Sequence, residues 1–333
     1  MRSGHIEQSL DHRRGTIKLE YLSNSGTPEL QTEPSAPISE YDLPAMAAAL
    51  KTSGQYRVLK KYERPSHYSS DDGCDKVLGI LLDTETTGFN RVKDKIIELS
   101  MVAFTFSKDG RIFELVDEFD AFEDPQMPIP EEITNLTGIT NTQVSGERID
   151  DAAVEAFLSD ASLIIAHNSE FDRSFTEKRF SIFRKKPWAC SLNEIPWKDE
   201  GLESSKLGFL AYRCGFFFDG HRAIEDCLAT IHILAHRLPK SGSLVLKKLL
   251  ENARRTSYKI WAIGAPYEKK DLLKESGYRW NNGDNGQPKA WYIEVFDDEA
   301  YREQEFLTRE IYGADQSPRI DEVNAFNRYS SRI

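Results

Sequence analysis

The run Val77-Leu78-Gly79-Ile80-Leu81-Leu82 ends abruptly in Asp83-Thr84-Glu85-Thr86-Thr87-Gly88. Six consecutive apolar residues mark a strand buried on both faces, and such a strand belongs inside an α/β sheet with helices above and below it. If the strand continues through Glu85, its period of two sends Asp83 and Glu85 to the same face at the C-terminal end, and Gly88 lets the chain turn away. Neighbouring carboxylates repel one another. Open α/β sheets carry their sites at strand C-terminal ends, and hard divalent cations there would neutralise the pair. Taken alone, the six residues also fit an ordinary acidic turn after a strand.

The rest of the chain can be organised around this strand. At about 100–200 residues per domain, 333 residues accommodate two domains and unstructured ends. Residues 1–38 mix Ser, Thr, Pro, Gly and Glu without apolar periodicity and read as disordered. Residues 39–75 read as a helix-strand extension and linker: a helical pattern from Leu43 to Leu50, then an alternating strand from Tyr56 to Tyr62. The main domain spans 76–240. Strands over 96–106 and 111–119, joined by a turn at Ser107-Lys108-Asp109-Gly110, predict a meander. Helical patterns over 151–158, 170–180, 204–214 and 222–237 then alternate with short strands over 162–166 and 187–190, which together predict a mixed α/β sheet. A connecting helix over 241–255, a small aromatic-rich α+β domain over 256–313 and a polar tail of low order over 314–333 complete the chain.

Two further segments carry candidate chemistry. Ala166-His167-Asn168-Ser169-Glu170-Phe171-Asp172 follows the strand over 162–166 directly. Asn168 or Ser169 caps the next helix, and Asp172 falls in its first turn, where the macrodipole favours an anion and the crevice is within reach. Complementing that dipole accounts equally well for Asp172 taken alone. The third segment, His221-Arg222-Ala223-Ile224-Glu225-Asp226, opens a long helix. Its spacing is uninformative, because His67 with Asp72 and His167 with Asp172 repeat it. Its position is informative: His67 lies in a linker, whereas His221 precedes a helix that follows both acidic strand ends. A cap or a packed residue is the other reading of a histidine in that place.

In this order and context the three segments resemble the DEDDh class of 3′-5′ exonucleases, the DnaQ-like family that includes the proofreading epsilon subunit of bacterial DNA polymerase III. Asp-Thr-Glu-Thr-Thr-Gly is complete at 83–88, His-Asn-x-x-Phe-Asp at His167, Asn168, Phe171 and Asp172, and His-x4-Asp at His221 and Asp226. Ile129-Pro130 and Leu136-Thr137-Gly138-Ile139-Thr140 resemble the family's linking helix and turn. The resemblance covers residues 76–238, about half the chain. It implies a ribonuclease-H-like mixed five-stranded sheet flanked by helices. It further implies that Asp83, Glu85, Asp172 and Asp226 hold two Mg²⁺ or Mn²⁺ ions, with His221 as general base. Hydrolysis of a phosphodiester needs an activated water, charge neutralisation and a stabilised leaving oxygen, which two cations about 3.5–4 Å apart can supply. Thr84, Thr86, Thr87, Gly88, Phe89, Asn168 and Phe171 would receive the terminal nucleotide. Phe89 and Phe171 would either stack on it or pack in the core. Products would be 5′-mononucleotides. A catalytically silent nucleic-acid-binding or scaffold protein on the same fold is the alternative.

The implied partner is nucleic acid with a free 3′ end, DNA in preference to RNA, within a DNA polymerase or repair complex. A clamp-binding segment of the Gln-x-x-Leu-x-Phe kind is not found. The aromatic segment, with Lys269, Lys270, Arg279 and Lys289, more weakly resembles a small module of several bacterial proteins. It reads either as a single-strand-binding surface or as an ordinary core with a basic rim, and for Trp280 and Trp291 the core reading is preferred. The formal charge of −11 disfavours a chain that coats DNA non-specifically. Four carboxylates offset by two divalent ions would leave about −7 elsewhere, hence a distributive enzyme unless another surface holds the strand. Cys74, Cys190, Cys214 and Cys227 form no metal-binding or disulfide pattern and read as reduced packing residues. A polar first segment and the lack of a long apolar run predict a cytoplasmic chain with no membrane span.

Overall fold

A computed structural model describes residues 42–283, 286–313 and 318–333. The chain divides into two units, Met1–Val58 and Leu59–Ile333. In the first, Asp42 caps α1 (Leu43–Thr52) by accepting the Ala45 N–H, and Pro44 lies in the first turn, where no donor is missed. The segment expected to be disordered, 1–38, lies outside the described residues.

The second unit begins with β1 (Lys60–Lys61) and the expected meander, β2 (Lys76–Thr86), β3 (Ile96–Ser107) and β4 (Ile112–Phe122). Two short helices, α2 (Glu131–Thr137) and α3 (Asn141–Val144), lead into α4 (Asp151–Leu158), β5 (Leu163–Ala166), α5 (Ser169–Arg179), β6 (Trp188–Cys190), α6 (Leu207–Cys214), β7 (Phe216–Phe217), α7 (Ala223–Leu234) and α8 (Val245–Ala253). The five main strands lie in the order β4-β3-β2-β5-β6. Strand β3 runs antiparallel to both neighbours, whereas β2, β5 and β6 are parallel, so the sheet is the expected mixed five-stranded one.

Strand alternation explains the two layers of helix. Leu81, Val102, Phe104 and Ile165 face one way and pack with Leu210, Ile231, Leu234 and Leu246 from α6, α7 and α8. Ile80, Leu82, Met101 and Ile164 face the other way, against Val154 and Leu158 of α4 and Phe175 of α5. The β3–β4 turn is seated on α8: Gly110 has φ +87°, and a β-carbon there would lie 2.3 Å from the Lys247 backbone nitrogen.

The strand expected over 56–62 is only Lys60–Lys61, because its sole partner among the described residues, the parallel β7, is itself two residues long. The helix and strand expected together over 39–75 also fall in different units.

The C-terminal part comprises β8 (Ser257–Ala262), α9 (Lys270–Glu275), β9 (Arg279–Asn281), β10 (Ala290–Phe296), α10 (Asp297–Phe306) and β11 (Arg319–Val323). It forms an antiparallel sheet in the order β11-β8-β10-β9, with a core that includes Ile260, Leu273, Tyr278, Val295 and Leu307. Trp291 packs at the margin of that core. Trp280 does not follow the core expectation: it stays 50% exposed on the three-residue edge strand β9 and meets Trp291 edge-on at 5.6 Å.

The low-order tail expected over 314–333 is corrected by the structure. Its first described residues form the edge strand β11, and the segment after it docks on the main domain. The Trp188 N–H donates to the Ala325 carbonyl, while the buried Arg173 guanidinium donates to the carbonyls of Phe326 and Arg328. Arg328, 4% exposed, pairs with Glu194 at 2.6 Å and donates to the Arg255 carbonyl. Polar composition signals disorder only where polar groups face water; here they satisfy one another inside.

Candidate active site

The period of two in β2 decides what each residue of the acidic segment can reach. Asp83 and Glu85 continue the face of Leu81, over which α7 packs, and Asp226 lies in the first turn of α7. One carboxylate oxygen each from Asp83, Glu85 and Asp226 lies within 4.8 Å of the others. Thr84 continues the opposite face, toward α5, and donates its N–H and hydroxyl to Asp172 Oδ1 at 3.0 and 2.8 Å. Asp172 is thus beside the three-carboxylate group but outside it. Its Oδ2 accepts no hydrogen bond among the described residues.

Burial and crowding raise all four acids. Desolvation, then repulsion from Asp172, Asp226 and Glu85, pushes Asp83 well above the carboxylate range. Burial likewise lifts Glu85 to about 8, Asp172 to about 7 and Asp226 to about 6, the last two opposed by Thr84 and by the His221 N–H respectively. Three converging hard oxygen donors that repel one another are a fitting donor set for Mg²⁺ or Mn²⁺.

This arrangement makes stability depend on pH. Between the unfolded values near 4 and these raised folded values, the folded metal-free protein holds more protons, so its stability falls as pH rises. Burial lowers the pKa of His167 and His232 to about 4; their opposite contribution is complete above pH about 6.5. In a chelator, Tm is expected to be lower at about pH 8.5 than at about 6.5, and added Mg²⁺ to raise it more at the higher pH. A chelated protein more stable at about pH 8.5 would contradict the assignment.

His221 is exposed and adopts φ +67°, a left-handed conformation that costs a residue with a β-carbon about 1–2 kcal/mol. Its backbone N–H donates to Asp226 Oδ2 at 2.9 Å. The turn is anchored further by Glu98 on β3, which stands opposite Glu85 and is fully buried. Glu98 accepts from the Arg222 guanidinium at 2.8 Å and from the Ala223 N–H at the start of α7. Sequence reasoning passed over this pair. The available signal was a lone glutamate inside the apolar run Ile96-Ile97-Glu98-Leu99, since a charge buried in a strand needs a partner.

The expected nucleotide contacts separate into two groups. Thr84 is committed to Asp172, the Thr86 hydroxyl donates to the Gly88 carbonyl, and the Thr87 hydroxyl donates to Asp94. Gly88 is needed less for turning than for proximity, because a β-carbon there would lie 2.6 Å from Asp94 Oδ2. Phe89 is 80% exposed, so core packing does not account for it. Its ring lies 6.1 Å from that of half-buried Phe171, which packs against Phe175. Asn168 is exposed and occupies the expected N-cap position of α5, although its side chain makes no capping bond there. His167, although part of the matched segment, bridges the Ser191 hydroxyl and the Ser205 carbonyl and acts structurally.

Residues 80–234 match the RNase_T exonuclease family. Among curated relatives, the chain is 35% identical over 167 residues to a PolC-type DNA polymerase III of Clostridium perfringens, covering 48% of this chain and 11% of that protein. It is 30% identical over 227 residues to a PolC-type DNA polymerase III of Caldanaerobacter subterraneus, covering 62% of this chain and 15% of that one. The chain therefore spans only a small part of the length of these relatives. A solved structure of E. coli Exonuclease I in complex with a dA16 oligonucleotide is 16% identical, with TM-score 0.43, covering 66% of this chain and 63% of that one.

Proposed function

Because residues 80–234 form a DnaQ-like 3′-5′ exonuclease domain, we propose that this chain is a divalent-metal-dependent exonuclease that releases 5′-mononucleotides from a free 3′ end, preferentially of DNA. The observation that carries this reading is the convergence of Asp83, Glu85 and Asp226 within 4.8 Å. A silent scaffold gains nothing from holding three repelling carboxylates together, whereas a phosphodiesterase needs them.

Asp83, Glu85 and Asp226 would hold Mg²⁺ or Mn²⁺, with Asp172 beside them as a further ligand. When bound, such cations neutralise phosphate charge and stabilise the leaving 3′ oxygen. Glu98 and Arg222 fix the start of α7 and with it His221. His221 removes a proton from the attacking water, a task suited to an imidazole at neutral pH. Phe89, with Phe171 behind it, offers an exposed ring to the terminal base, and Asn168 an exposed amide. The names of the relatives suit a replication or repair setting for this chain.

His221→Asn tests the base. Asparagine tolerates the left-handed backbone better than most residues, so the fold should persist. Release from a 3′-labelled oligonucleotide is expected to fall about 10²-fold, within the usual contribution of a general base. An unchanged rate would remove His221 from the mechanism.

A further inference from the structure

A groove of about 1250 Å³ separates the nuclease domain from the C-terminal sheet. It begins at Phe89 to Val92, beside the candidate active site, and extends to Lys259, Trp261, Arg279 and Tyr292. Pockets built for one small molecule measure about 300–1,000 Å³, so this space suits an extended ligand.

Strand alternation builds the wall of the groove. Ile260 and Ala262 of β8 and Ile293 and Val295 of β10 turn into the small core. Lys259, Trp261 and Tyr292 therefore face the other way. Cross-strand pairing places Tyr292 opposite both Trp261 and Arg279. Trp261 supports Tyr292 at 5.0 Å between ring centres, Lys259 Nζ lies 5.3 Å from the Tyr292 centroid, and the Arg279 guanidinium lies 5.0 Å from it.

The charges in the groove are unevenly satisfied. Glu170 pairs with Arg91, Glu177 with Arg173 and Arg332, and Glu194 with Arg328, while Glu294 accepts from the Ser257 hydroxyl 3.9 Å from Arg328 and Glu299 also lines the groove. Lys178 and Arg279 form no ion pair among the described residues, and Lys259 Nζ donates to the main-chain oxygen of Ile333 at 3.1 Å. Lys178 donates instead to the carbonyls of Arg91 and Val92, holding the loop that carries Phe89. A wall of aromatic rings interleaved with cations, in a groove that reaches the Phe89–Val92 loop, is the chemistry of single-strand recognition.

We propose that this groove binds the single-stranded nucleic acid leading to the 3′ end, with its bases against Tyr292 and its phosphates along Lys178, Lys259 and Arg279. The direction of the strand rests on the exonuclease reading. Of the cations singled out in the sequence, only Arg279 lines the groove. Lys259, hidden in an ordinary strand, and Lys178, on the nuclease domain, gave no local signal.

The test measures binding without catalysis: fluorescence anisotropy of a labelled oligothymidylate of about a dozen residues, in EDTA, across salt concentrations. Three phosphate contacts predict a slope of log affinity against log salt of about −2. Arg279→Gln, at an exposed position, should reduce that slope by about 0.7, and Tyr292→Leu should weaken binding roughly 5- to 100-fold. If either variant folds poorly, photocrosslinking of iodouracil-substituted strand to the unaltered protein should label β8 or β10. Crosslinks confined to other segments, unchanged affinity in both folded variants, or equal affinity for a polyglutamate peptide would overturn the proposal. Binding in EDTA without hydrolysis in Mg²⁺ would retain the groove and remove the exonuclease reading; hydrolysis with both variants binding normally would do the reverse.

Discussion

Asp83→Asn is expected to lower the rate of phosphodiester hydrolysis roughly 10³-fold or more while making the metal-free protein more stable. The substitution keeps size and shape and removes one charge from the group formed with Glu85 and Asp226. The loss in rate is at least that of removing a strong preorganised electrostatic contact. The gain in stability follows because burial and four neighbouring acids already force Asp83 well above its ordinary pKa. At about pH 8.5 the neutral amide relieves that repulsion, so Tm in a chelator should rise and the added stabilisation by Mg²⁺ should shrink. Opposite movements of activity and stability are the mark of a strained functional site. A variant that is both less stable and still active would show Asp83 to be structural.

Arg328→Met is expected to destabilise the chain by about 3–5 kcal/mol, the scale of breaking one side of a buried ion pair. Arg328 is the buried partner of Glu194 and donates to the carbonyls of Ala253 and Arg255. Burial raises the Glu194 carboxyl above its ordinary value even with Arg328 in contact, so desolvation outweighs attraction there. The pair specifies where the C-terminal segment docks, and removing Arg328 alone leaves Glu194 buried and uncompensated. Urea midpoints with an unchanged slope would measure the loss. Arg309, paired with Glu305 at an exposed site, provides the comparison, with an expected effect below about 1 kcal/mol. A loss of that small size at Arg328 would contradict the docking role of the segment.

The central part of the fold was legible because its signals are local. The apolar run before Asp83 is β2, the turn Ser107 to Gly110 joins two strands, and the helix expected over 151–158 is α4. The acidic residues were legible because strand period and helix position bring Asp83, Glu85 and Asp226 together. What escaped depends on tertiary pairing. Arg328 and Ser330 look like a solvated tail until Glu194 and Glu177 are seen beneath them. Glu98 looks like an interruption in a strand until Arg222 arrives from 124 residues away. His167, inside the matched segment, is a half-buried imidazole whose two ring nitrogens are engaged by the Ser191 hydroxyl and the Ser205 carbonyl, partners that only the fold brings near. The net charge of −11 likewise said nothing of how three acids converge at one strand end or of where cations line a groove.

The most direct measurement of the central claim is digestion of a 5′-labelled single-stranded oligonucleotide by the unaltered chain, in chelator and after restoring Mg²⁺ or Mn²⁺. The expected result is no cleavage in chelator, then stepwise shortening from the 3′ end with release of 5′-mononucleotides once metal is added. Shortening that persists in chelator, or an intact strand in both conditions, would contradict it.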